Sequence, residues 1–207
     1  MKIKTAIEYF YDWESNDPNR LFLRQPYGKE WFTLTYRQAG EQARKMTAAL
    51  QSLGLQQGDH IGIYSKNCYH WIITDLAIMM GGFVSVPFYA SLPPEQLEEV
   101  VIKSDIKIIF AGKLDKWEDH AKAIPENVQM IRYPHYKGNA VVSEGLLWDD
   151  LIHAHQPVST HFIPELDATW SILYPSGTTG SPKGAMLPHR SPATVIHDES
   201  QNHELGI

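Results

Sequence analysis

The chain has 207 residues, 43% hydrophobic and 20% charged, with a formal net charge of -6; this is an ordinary globular composition, long enough to bury a sizeable core in one or two domains. The acidic balance offers no basic stripe for nucleic acid, so the expected partners are small molecules. A single cysteine, Cys68, excludes a disulfide framework, and Met1-Lys2-Ile3-Lys4 leads into a polar amphipathic stretch without the apolar run of a signal peptide, which points to the cytoplasm.

From the N-terminus, Thr5 to Trp13 carries Ile7, Phe10 and Tyr11 at helical spacing and is stopped by Asp17-Pro18. Leu21 to Arg24 and Glu30 to Leu34 alternate apolar and polar side chains around Gly28, the pattern of a hairpin with a structural role. Thr35 with Gln38 has capping-box spacing, and Ala39, Ala43, Met46, Leu50 and Leu53 continue as one apolar stripe until Gly54 ends the helix. His60 to Ser65 reads as a buried strand, Asn67 as the cap of a helix over Cys68 to Met80, and Val84 to Pro87 as the next strand, entered through Gly81-Gly82. Trp71 to Phe88 is the one membrane-like stretch, but Asp75 would cost on the order of 3 kcal/mol in a bilayer core. A buried helix running into a buried strand is expected, and no transmembrane segment.

Pro93-Pro94-Glu95 opens a helix that ends near Ser104, with proline presetting φ and an acid in the first turn. A strand over Lys107 to Ala111, a helix over Leu114 to Ile124, a strand over Val128 to Arg132, a loop over Tyr133 to Glu144 and a short helix over Leu147 to His153 follow. Strand and helix alternate without a linker or internal repeat, which implies parallel crossover units and an α/β fold: a layered sheet with flanking helices.

The stretch that carries chemistry is Tyr174-Pro175-Ser176-Gly177-Thr178-Thr179-Gly180-Ser181-Pro182-Lys183-Gly184, placed between a β-like run over Ala168 to Leu173 and a segment that can form a helix, expected over Thr194 to Glu204. Glycines let the backbone approach a ligand closely, hydroxyls and backbone N–H groups can point into one concavity, and Lys183 adds a compact positive charge. Those are the parts of a phosphate cradle. Lys183 is preceded by Pro182 and followed by Gly184, so the loop is not a Walker A motif, and no Gly-x-Gly-x-x-Gly run is present.

Ser176 to Gly184 resembles, without a gap, the Ser-Gly-Thr-Thr-Gly-x-Pro-Lys-Gly signature of the adenylate-forming (AMP-binding) enzymes, the superfamily of acyl-CoA synthetases, luciferases and peptide-synthetase adenylation domains. Leu34-Thr35-Tyr36 resembles the family's first signature region. Ser65-Lys66-Asn67, Trp71, Asp75 and Gly81 through Val86-Pro87-Phe88-Tyr89 look like the long-chain acyl-CoA synthetase branch, at positions read mostly as packing residues. The resemblance implies the N-terminal subdomain of the adenylate-forming fold, with residues 1–207 as the first part of an AMP-binding domain whose remainder and C-terminal lid domain are absent. It further implies a two-step ligase reaction using ATP, Mg2+ and coenzyme A: a carboxylate, here a fatty acid, attacks the α-phosphorus, pyrophosphate leaves, and a thiol captures the acyl-adenylate. ATP phosphate binding is assigned to Ser176, Gly177, Thr178, Thr179, Gly180 and Lys183, by electrostatic stabilisation of the departing phosphates.

Two residues depart from the family. Pro175 replaces a hydroxyl residue and offers neither hydroxyl nor N–H, which puts metal binding in doubt, and Pro188 replaces the hydroxyl residue before His189. The family's magnesium-serving Glu, ribose-holding Asp and late catalytic Lys have no counterpart here. No catalytic residue or metal ligand is therefore assigned within these residues, and the chain alone is expected to be inactive. His153-x-His155 would point about 200° apart on a helix, no His-Glu-x-x-His occurs, and the ten histidines read as mostly a surface population. Cys68 reads as a buried, inert thiol and His189 as a packing residue. Two readings stay open: part of a fatty acid–CoA ligase, cytoplasmic or peripheral to a membrane, or a truncated, non-catalytic nucleotide-binding or interaction module of the same fold.

Overall fold

The computed structural model describes residues 3–175 and 182–196. Thr5 opens helix α1 (Ala6–Asn16) with a reciprocal cap: its hydroxyl accepts from the Glu8 N–H at 3.4 Å while the Glu8 carboxylate accepts from the Thr5 N–H at 2.7 Å. Thr35 repeats the device with Gln38 at the head of α2 (Tyr36–Ser52), as the spacing predicts. Between the two helices, β1 (Leu21–Tyr27) and β2 (Glu30–Thr35) form a separate two-stranded antiparallel hairpin.

The main sheet is built from β3 (His60–Ser65), β4 (Val84–Phe88), β5 (Ile106–Gly112), β6 (Gln129–Arg132), β7 (Leu146–Leu147), β8 (Thr169–Leu173) and β9 (Ala185–Pro188), in the order β7-β6-β5-β3-β4-β8-β9. Neighbours are parallel except β8 and β9. Crossover helices α3 (Tyr69–Gly81) and α4 (Pro94–Ser104) join the central strands, and α5 (Glu118–Ala121) and α6 (Trp148–Ala154) serve its far side. Ile61, Ile63, Ile108 and Phe110 point to the face covered by α1, α2, α3 and α6, whereas Tyr64, Val86, Ile109 and Ala111 point to the face covered by α4 and α5. A sheet buried on both faces explains why these strands read as continuous apolar runs.

α3 is buried from Ile73 to Gly81 between α2 and the sheet, and Gly82 ends it at φ 70°, where a side chain would be strained. Among the described residues no helix is long and apolar enough to cross a membrane. The cap of α3 differs from expectation: Cys68 occupies the N-cap without a side-chain bond, and Gln25 of the hairpin accepts from the Tyr69 N–H at 2.8 Å, while Asn67 stays exposed. A long-range partner thus replaces the local one.

The helix expected over Leu114 to Ile124 shrinks to Glu118–Ala121. The Trp117 indole donates to Glu144 at 2.6 Å and the Leu114 carbonyl accepts from Ala140 at 2.7 Å, so this stretch is committed to the loop over 133–144. After the phosphate-loop motif the chain first forms β9, a strand the residue pattern did not signal, because pairing Leu173 with Ala185 and Thr169 with Pro188 satisfies the free edge of β8. Helix follows over 190–196, earlier than the expected Thr194 start, since the Arg190 guanidinium grips Asp167 at 2.8 and 2.9 Å and turns the chain there. The rest of the helix expected up to Glu204 lies outside the described residues.

Candidate functional site

Four parallel strands end side by side, and each hands the chain to a basic or phenolic side chain. Lys66 follows β3, Tyr89 follows β4, Lys113 follows β5 and Tyr174 follows β8. The chain runs from β3 through α3 to β4 on one side and from β4 through α4 to β5 on the other, so the order reverses at β3. Such a switch point leaves a crevice outside the carboxyl ends of the strands, where open α/β sheets take their ligands. A cavity of about 610 Å³ lies there, lined by Ser65, Lys66, Asn67, Trp71, Tyr89, Lys113 and Leu173 among others.

The loop motif springs from the same rim. It leaves β8 at Leu173 and returns to β9 at Ala185, the residue paired directly with Leu173, so its two feet are fixed together. Tyr174 is buried, and burial pushes its phenol above the usual range. A Cβ on Gly184 would sit 2.7 Å from Ile172 Cγ2 and 3.1 Å from the Tyr174 ring, so the second foot tolerates only glycine without movement. Pro175 and Lys183 are exposed at the two ends of the motif. Of the six residues assigned to ATP phosphate binding, Lys183 is the one placed; Ser176, Gly177, Thr178, Thr179 and Gly180 lie outside the described residues.

Two further cations border the cavity that the motif did not reveal. Lys66 pairs with Asp115 at 2.6 Å, and Lys113, held at φ 48°, donates to the Asn67 carbonyl at 2.5 Å above the Tyr136 ring. A left-handed conformation on a lysine costs on the order of 1–2 kcal/mol, and here it turns the chain sharply off the end of β5. Their position one residue past a parallel strand was the available signal. Lys66 and Tyr89, read as packing residues, and Asn67, read as a helix cap, line this cavity instead.

His189 is buried, its ring is held down to about 4 by burial, and Nδ1 has no partner among the described residues; a neutral packing histidine is the result. Most described histidines do lie at the surface: His60, His135, His153, His155 and His161 are exposed or half-buried, whereas His70 and His120 are buried along with His189. Both serve packing networks that tertiary contact creates: His70 meets the Tyr136 hydroxyl at 2.6 Å and His120 meets the Leu92 carbonyl at 3.0 Å. His153 and His155 spend their Nδ1 atoms on helix carbonyls, and among the described residues no group of three His, Cys, Asp or Glu could hold a metal ion. Cys68 is buried, 3.7 Å from the Ser65 hydroxyl.

This arrangement defines an α/β protein of the class that receives its ligand at the carboxyl ends of a mainly parallel sheet. The family model for AMP-binding enzymes matches residues 10–204, and the chain belongs to that family. It is 34% identical over 195 residues to fatty acyl-CoA synthetase A of Dictyostelium discoideum, a match covering 88% of this chain and 29% of the relative. It is 29% identical to the long-chain-fatty-acid–CoA ligase FadD15 of Mycobacterium tuberculosis, covering 91% of this chain and 31% of the relative. The fold superposes on the Brucella canis acyl-CoA synthetase with a TM-score of 0.77 at 18% identity, over 92% of this chain and 34% of that one. It also superposes on the N-terminal subdomain of Klebsiella oxytoca NpsA with a TM-score of 0.69 at 23% identity, over 93% and 44%. The chain thus spans under a third of the length of these two curated relatives.

Proposed function

We propose that residues 1–207 are the ATP-cradling part of a fatty acid–CoA ligase. The observation that carries the reading is the Ser176–Gly184 motif, anchored at both feet on the rim of the cavity at the carboxyl ends of β3, β4, β5 and β8. In the reaction a carboxylate oxygen bonds to the α-phosphorus of ATP as the bond to pyrophosphate breaks. The thiolate of coenzyme A then bonds to the acyl carbon and AMP leaves.

For that chemistry the chain offers Lys183, exposed at the foot of the loop, as a charge opposite the terminal phosphates, with the hydroxyls and amides of Ser176, Gly177, Thr178, Thr179 and Gly180 as donors. Lys66 and Lys113 supply positive potential at the opposite wall. Magnesium, when bound, neutralises the leaving phosphates. The described residues contribute no carboxylate set for it, so its ligands are expected elsewhere. The relatives' names support the fatty acid as the carboxylate.

The test is fatty-acid-dependent exchange of labelled pyrophosphate into ATP by the protein its gene encodes, with Lys183→Ala as the weakened variant. Absence of exchange with every carboxylate tried would sink the ligase reading. Pro175, exposed where relatives of the resemblance carry a hydroxyl, favours the second reading, a nucleotide-binding module without turnover; it predicts ATP binding by calorimetry with no exchange.

A further inference from the structure

We propose that the outer face of the β1–β2 hairpin is a docking surface for an anionic lipid bilayer. The chain as a whole is acidic, yet residues 20–37 carry four basic side chains, Arg20, Arg24, Lys29 and Arg37, against the single acid Glu30. All four basic residues are exposed. This local reversal of sign suits a negatively charged surface.

Charge alone would not distinguish a membrane from any other polyanion, but the apolar groups here do. Register places Leu21, Arg24, Pro26, Trp31 and Thr33 on the face of the hairpin turned away from Leu34, whose side chain is buried in the core. Trp31 is 57% and Leu21 49% exposed, and Trp13 at the end of α1 is 41% exposed. Arg24 lies over the Trp31 ring at 4.8 Å and Arg20 over the Trp13 ring at 4.2 Å, so each cation is carried on an indole. Indoles and tyrosines with basic neighbours sit well at the headgroup level, where the ring reaches the acyl boundary and the cation meets phosphate.

The geometry also gives the contact a purpose. An apolar groove of about 500 Å³ opens between the hairpin and the start of α3, and it shares Asn67, Trp71 and Lys113 with the cavity at the strand ends. Gln25 ties the hairpin to the first turn of α3 at 2.8 Å, so the docking face and the groove move as one piece. A fatty acid drawn from the bilayer would meet the groove first and the phosphate-loop rim second. That purpose rests on the ligase reading above; the docking itself does not.

The test is sedimentation with vesicles of phosphatidylglycerol and phosphatidylcholine, compared with vesicles of phosphatidylcholine alone. The protein is expected to pellet with the anionic vesicles, weakly with neutral ones, and less as salt is raised. Arg20→Gln with Arg24→Gln should lower partitioning about twenty-five-fold, from about fivefold per cation removed near a charged surface. Trp31→Ser should lower it on vesicles at any salt, a loss that a purely ionic contact would not show. Lys122→Gln, just past the end of α5, should leave it unchanged. Equal thermal midpoints for all variants exclude misfolding. No sedimentation with anionic vesicles, equal sedimentation with neutral ones, or full retention by the double arginine variant each overturns the proposal. Pyrophosphate exchange is not read here, so failure of the ligase reading leaves the vesicle result to stand or fall independently.

Discussion

The centre of the sheet and its β8–β9 end obey different rules. β3 and β5 are enclosed by helices on both faces, and every residue from Ile61 to Ser65 and from Ile108 to Gly112 is buried. β9, four residues long and antiparallel at the edge, leaves Ala185 and Met186 open. The motif assigned to phosphate is mounted on this thinner end, with its feet pinned by Tyr174 and Gly184 rather than by a deep core. Burial is thus deepest in the strands that form the platform and thins toward the edge that carries the feet of the motif.

The sharpest way to break that contrast is at Trp148, fully buried and edge-on to His70, Phe110 and Tyr133. Trp148→Ala should lose about 3–5 kcal/mol in denaturant unfolding. Next is Asp75, buried on α3, whose carboxyl burial pushes up to about 6. Ser85 and Trp170 lie close enough to offset part of that rise, yet geometry closes no hydrogen bond on Oδ1. The folded carboxyl holds its proton more tightly than the unfolded one, so its contribution is full below pH 3.8 and is lost as pH rises through about 6. Relative to the wild type, Asp75→Asn should therefore gain up to about 3 kcal/mol across that window, read as the difference between two pH–stability curves. The difference is needed because His70 and His189, held down to about 3 and about 4 by burial, act in the opposite direction, losing stability as pH falls below 6.5.

At the other end, Lys183→Ala should leave the melting temperature alone, since the side chain is exposed, while slowing pyrophosphate exchange about a hundredfold. Gly184→Ala should do the reverse in kind: the added methyl meets Ile172 and Tyr174, costing about 1–3 kcal/mol in stability. Met186→Ala, 67% exposed on β9, should change stability by less than about 0.5 kcal/mol. A large effect at Met186 would mean that the edge is packed as tightly as the centre, and the contrast would fail.

Local signals located most of the elements. The capping box at Thr35, the apolar stripe of α2, the bounds of β3 and the burial of α3 were all legible, because each depends on a few neighbouring residues. The errors share one cause. Gln25 rather than Asn67 caps α3, and Trp117 abandons a helix to reach Glu144. In each case a partner distant in sequence outbid a local preference.

The candidate site divides in the same way. Its glycines, hydroxyls and Lys183 stand in one unbroken stretch, so their chemistry could be read from residue order. Lys66, Tyr89, Lys113 and Tyr174 come from four separate strands, and nothing in their spacing brings them together. The parallel pairing of β3 with β4 and β5, and of β4 with β8, does so. Residue order fixes what a continuous loop can bind, since its groups are covalent neighbours; the walls around it exist only once the sheet has aligned the ends of its strands.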